Sequence, residues 1–227
     1  LAVNADGVIG VNGRLSASGD LTLATTSNGN SKNVAVADIQ LIDGAVTSGG
    51  NMSIAADGSI VFNGGQIYSF NDLTLGGQTF VDQSTANPAQ FNNTRFAGDD
   101  LNFNISGVMQ FSGTKWEATN FRFGSESLGR RPNLDIGEGT VLKALSLMDM
   151  HIGSMINSGT VASLDNTTID ATGQVRNMAP GVVTSANRST LKVPTFTNYG
   201  DWVAAQNDTT AVSPVVWRID TLNNEAG

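Results

Sequence analysis

The sequence predicts an all-β chain, a parallel β-helix of about ten coils that passes into a less regular C-terminal segment. Three observations predict it. A short strand with a polar corner before it recurs, as SGDLTLAT (18–25), GGNMSIAA (49–56), SFNDLTLGG (69–77) and AGDDLNFN (97–104). The composition is poor in charge, at 14%, and rich in glycine, with 26 Gly, which suits strands joined by tight turns. No segment holds apolar residues at helical spacing for three turns.

The recurring strand begins at Leu21, Met52, Leu73 and Leu101, spaced by 31, 21 and 28 residues. These intervals cluster near the roughly 20–30 residues of one solenoid coil. Between them lie further short strands, Val34-Ala35-Val36, Ile39-Gln40-Leu41, Ile60-Val61-Phe62 and Ile67-Tyr68, each bounded by Gly, Asn or Asp. One rung cannot bury its own apolar face, so the next must repeat an inward Leu, Ile, Val or Phe at the same place. The corners require positive φ or side chains that bond their own backbone, which selects Gly, Asn and Asp. The best helical candidate, VLKALSLMDM (141–150), is read as strand.

Regularity varies along the chain. Residues 1–78 are the most uniform. Residues 91–123 keep the coil but turn aromatic, with Phe91, Phe96, Phe103, Phe111, Trp116, Phe121 and Phe123. Coils with smaller residues resume over 134–178. After Pro180 the repeat signal is weak, and Pro194, Pro214, Tyr199, Trp202 and Trp217 appear. The expected organisation is a repeat domain over 1–178, with loops near 76–94 and 124–134, followed by an irregular continuation or cap of the same solenoid over 179–227.

Length and charge set further bounds. The 227 residues can form one large β domain or two small ones. Cysteine is absent, so no thiolate serves as metal ligand or nucleophile. Twelve Lys+Arg against 20 Asp+Glu leave a net charge of −8, which argues against nucleic acid and anionic membranes as main partners. No apolar run approaches the roughly 18 residues of a membrane helix, so membrane insertion is not expected. The chain starts at Leu1 with no signal-like segment and ends on Asn223-Asn224-Glu225-Ala226-Gly227, and reads as part of a larger polypeptide.

Three stretches, SGDLTLAT, GGNMSIAADGSIVFNGGQIYSFNDLTLGG and LDNTTIDATGQVRN, carry a resemblance. They look like the filamentous-haemagglutinin-type repeats of bacterial two-partner-secreted exoproteins, a group that includes adhesins and the CdiA effectors of contact-dependent growth inhibition. The likeness is good over about 15–80, weaker over 97–178 and absent beyond. It implies a right-handed β-helix, secreted or held at the bacterial cell surface, that carries a binding region away from the cell. The Asn-Pro-Asn-Leu motif of the family's secretion domain is missing (Asn87-Pro88-Ala89 is a partial echo), as is the Val-Glu-Asn-Asn motif that precedes the toxin. What remains resembles the middle of such a chain, where a growth-inhibition effector meets its receptor.

Catalytic candidates in a β-helix would be carboxylates: Asp99-Asp100, Glu117, Glu126, and Asp135 with Glu138. Alternation is expected to put Asp99 and Asp100 on opposite faces of a strand, and Asp is an ordinary corner residue. His151 has no second histidine, so no metal, cofactor or triad is expected. The binding candidates are Arg130 and Arg131 in the loop ESLGRRPN, Trp116 and Arg122 in the aromatic segment, and Tyr199 and Trp202 beyond Pro180. For the aromatics the favoured reading is that they fill a widened core, and for the Arg loop a solvated turn stands level with a contact site. The expected function is non-enzymatic recognition of a target-cell receptor, an outer-membrane protein or a glycan. A polysaccharide-processing enzyme and a purely structural stalk are the alternatives.

Overall fold

In the computed structural model, residues 1–26, 39–83, 94–204 and 215–224 are described. They form a parallel β-helix with three faces per coil. Twenty-four strands pair in register with the strand one coil away, and every strand–strand pairing is parallel. Among the described residues there is no helix, and VLKALSLMDM lies within the strand Val141–Ile152. Val34-Ala35-Val36, Phe91 and Pro214 lie outside the described residues.

Each coil runs through a first, a second and a third face. Leu21, Met52, Leu73 and Leu101 are register partners on the first face, so the irregular spacing read from the sequence marks true rungs. Two residues on, an inward row stacks Val3, Leu23, Ile54, Leu75, Phe103, Phe123, Met150, Ile169, Leu191 and Trp217 over ten rungs. Ten rungs at ~4.8 Å give an axis of about 45 Å. The second face stacks Ile9, Ile39, Ile60, Phe80, Met109, Leu134, Met155, Val175, Phe196 and Leu222. The third stacks Leu15, Val46, Ile67, Phe96, Trp116, Leu142, Val161, Val183 and Trp202. Apart from Trp217 and Leu222 on the last rung, which are exposed, these rows form one continuous core, because a strand exposes the same side of its pleat at every second residue.

Polar ladders share this interior. Asn157 Nδ2 donates to Asn177 Oδ1 (2.8 Å), Asn177 Nδ2 to Asn198 Oδ1 (2.9 Å), and Asn198 Nδ2 to Asn224 Oδ1 (3.1 Å). Asn177 Nδ2 also meets the carbonyls of Gly181 and Asp201. Asn suits an inward corner because one amide can satisfy the rungs above and below and the turn beside it.

The structure corrects three expectations. The loop near 76–94 is too long, because Leu73–Gly77 and Thr79–Gln83 are both strands and Phe80 is buried; residues 84–93 lie outside the described residues. The loop near 124–134 closes before Asn133, which starts the strand Asn133–Ile136. Asp99 and Asp100 do not point to opposite faces across the core wall. Asp99 sits at a corner, between the paired blocks ending at Gly98 and starting at Asp100, and both carboxyls lie outside the core. Alternation restarts at a corner, and for that reason the simple period-2 rule fails there. Past Pro180 the same ladder runs on, with Val182–Ser185, Ser189–Asn198, Asp201–Val203 and Val215–Asn224 all in parallel register. What changes is exposure: the last strand is exposed along almost all its length.

Candidate functional site

Trp116 cannot be a contact residue in this fold. It is 0% exposed and packs against Phe62, Phe80, Phe96, Phe103 and Phe111, with ring centroids 5.6–6.3 Å apart. Its indole N–H donates to Asp82 Oδ2 (2.6 Å), and the Thr114 hydroxyl donates to the same oxygen (2.5 Å). The aromatic stretch is therefore core, and the alternation that set Trp116 opposite Lys115 and Glu117 pointed it inward. Trp202 occupies the same inward row, partly buried against Phe196 (4.8 Å) and Trp217 (6.2 Å). Tyr199 is half-buried in the turn that joins the second face to the third.

The three arginines stand together on the outside of the first face. Gly124 launches the loop with φ +74°, and a Cβ there would strike the carbonyls of His151 and Arg130. Only glycine accommodates both conditions. Ser125 and Arg130 then bridge antiparallel, with N–H to carbonyl distances of 2.8 and 2.9 Å, and the turn between them exposes Glu126, Ser127 and Leu128. Arg130 Nη1 donates to the Asn104 carbonyl (2.6 Å). Arg131 Nη1 donates to the Asp170 carbonyl (2.9 Å), and its Nη2 pairs with Asp170 Oδ2 at 3.2 Å. The two guanidiniums thus staple the loop to the helix on either side. Expected as exposed donors, they are instead largely committed within the fold, and the exposed part is the tip. Arg122, with a 40% exposed side chain, pairs with Asp100 at 2.7 Å.

Arg131 leads to a cluster that depends on register. His151, Asp170, Lys192 and Arg218 are successive register partners on the outer side of the first face. Asp170 takes Arg131, faces Lys192 at 3.4 Å and lies 3.8 Å from His151 Nδ1, a buried nitrogen with no hydrogen-bond partner. Burial raises the Asp170 pKa, but the Arg131 hydrogen bond and the charges of Arg131 and Lys192 outweigh it and hold the carboxyl below its ordinary value. Asp100 behaves alike: burial raises it, but hydrogen bonds from Arg122 and Asn120 with the charge of Arg122 outweigh this and hold it below its ordinary value.

Two adjoining cavities open here. One, of about 420 Å³, is lined by Arg131, Asp170, Lys192, Pro194, Arg218 and Asp220 among others. The second, of about 330 Å³, lies between Arg188, Thr190, Lys192, Val216 and Arg218. Arg188 and Arg218 have no carboxylate within ion-pair distance among the described residues. Of the catalytic candidates, Asp100 is taken by Arg122 and Asn120, and Glu117 pairs with Lys143 at 2.9 Å. Among the described residues, no group of three His, Cys, Asp or Glu side chains could hold a metal ion.

Asp170, Lys192, Arg188, Arg218 and the Asn ladder were not singled out by sequence reasoning. Their signal was present as one residue type or charge recurring at the same place in successive coils, but it needed the coil lengths. Comparison of the chain with protein-family models, with curated proteins and with solved structures gave no match.

Proposed function

We propose that this chain is a non-enzymatic recognition and presentation segment of a secreted bacterial filament, placed at the cell surface. It would bind a target-cell receptor through the outer first face between the 124–132 loop and Arg218. One observation carries the reading: the clamped loop and the two cavities beside it break the uniform rungs and collect cations on a chain whose net charge is −8. Specific recognition needs irregular groups held on a rigid frame, and the β-helix supplies that frame. The repeat resemblance supports the secreted setting.

The test is binding of the labelled protein to bacterial cells and, separately, to mammalian cells. Saturable binding that unlabelled protein competes, and that falls when 125–129 is replaced by a Gly-Ser turn or when Lys192 and Arg218 both become Glu, would support the reading. Binding that survives both changes would move recognition off this surface. Absence of binding to either cell type would leave the stalk reading in its place.

A further inference from the structure

We infer that the paired cavities on the outer first face are a binding site for a carboxylate-bearing polysaccharide, a chain of uronate-type sugars lying along the strands Ser189–Asn198 and Val215–Asn224, across the helix axis. This rests on the surface proposed above and assigns its ligand chemistry. Four of the chain's 12 Lys and Arg residues, Arg131, Arg188, Lys192 and Arg218, line these two cavities. Only two carboxylates, Asp170 and Asp220, share them. Asp170 is already occupied by Arg131 and Lys192, while Arg188 and Arg218 are unpaired among the described residues. Cations that line one cavity repel one another, and an anion placed among them relieves this while gaining charge-assisted hydrogen bonds.

The remaining lining selects among anions. Asp220 and Thr190 offer acceptor and donor positions for sugar hydroxyls, and Ala171, Val193, Pro194 and Val216 give apolar surface for the ring's C–H face. Two carboxylates within the lining disfavour a densely charged sulfate or phosphate polymer, which would meet them at every unit. A single charge per sugar, with hydroxyls between, fits this mixture. The larger cavity, about 420 Å³, falls in the ~300–1,000 Å³ range of small-ligand sites. The two cavities share Lys192 and Arg218, so one chain can fill both.

The experiment is calorimetric titration of the intact protein with three probes: a defined oligouronate, its methyl ester and a sulfated oligosaccharide of equal length. Saturable binding of the oligouronate, lost on esterification and weakened with rising salt, is expected. Changing Lys192 and Arg218 together to Ala should weaken it at least tenfold with an unchanged circular dichroism spectrum, whereas Lys192→Arg should retain it. Equal binding of the ester, stronger binding of the sulfated chain, or no oligouronate binding at millimolar concentration overturns the inference. Cell binding through this surface without oligouronate binding would leave the recognition reading standing and remove only this one.

Discussion

Replacing Trp116 by Phe separates a core role from a contact role. The indole N–H and the Thr114 hydroxyl converge on one oxygen of Asp82, itself 0% exposed. Losing the N–H takes a charge-assisted donor from a buried carboxylate, at a cost of about 1–3 kcal/mol. The missing ring atoms leave a void of roughly 40 Å³ among Phe62, Phe80 and Phe103, which at ~24 cal/mol per Å³ adds about 1 kcal/mol. The sum is a destabilisation of about 2–4 kcal/mol. Equilibrium urea unfolding followed by circular dichroism reads it directly, since indole fluorescence is itself altered by the change. Rungs of a solenoid couple to their neighbours, so loss should centre on the aromatic coils and show in hydrogen exchange there. Cell binding of the folded variant should equal that of the parent. A destabilisation below about 1 kcal/mol, or lost binding without lost stability, would refute the account of Trp116 as core.

Asn177→Ala should cost about 3–5 kcal/mol, because it strands the Asn198 amide oxygen and the Gly181 and Asp201 carbonyls together; limited proteolysis should then cut first after residue 157, and uniform cutting along the chain would argue against a ladder. Gly124→Ala should cost about 1–3 kcal/mol for a side chain forced to positive φ, visible as faster exchange at Ser125 and Arg130, and an unchanged melting temperature would contradict the launch geometry. Asp100 and Asp170 have depressed pKa values in the fold, so their contribution is complete above the ordinary value of 3.8 and is lost as pH falls through the lower folded values. The melting temperature should hold at neutral and mildly acidic pH and fall below about 3.8, less steeply in Asp170→Asn; identical acid profiles for variant and parent would exclude this ion pair as a cause.

Much of the fold was legible in the residues because its signals are local. Leu21, Met52, Leu73 and Leu101 could be aligned by eye, and the polar corner before each strand fixed the frame. The site was less legible. Arg131 stood out as a basic pair in an acidic chain, but its partner Asp170 lies 39 residues on. That contact exists only because the loop folds back over two later rungs. Trp116 and Trp202 attracted attention as scarce aromatics, yet period-2 alternation within their own strands already pointed them inward.

By itself the sequence determined the secondary structure and the parallel stacking of like on like, since each follows from turn chemistry and the burial of one strand face. Tertiary structure alone decided which outward residues meet. Coil lengths differ, with 21 residues between Met52 and Leu73 against 31 between Leu21 and Met52, so no single sequence interval identifies the residue on the next rung throughout. His151, Asp170, Lys192 and Arg218 are neighbours because hydrogen-bond register, locked by the inward rows of Leu, Ile and Phe, absorbs each difference at a corner. The core row sets the register, and the register assembles the outer surface.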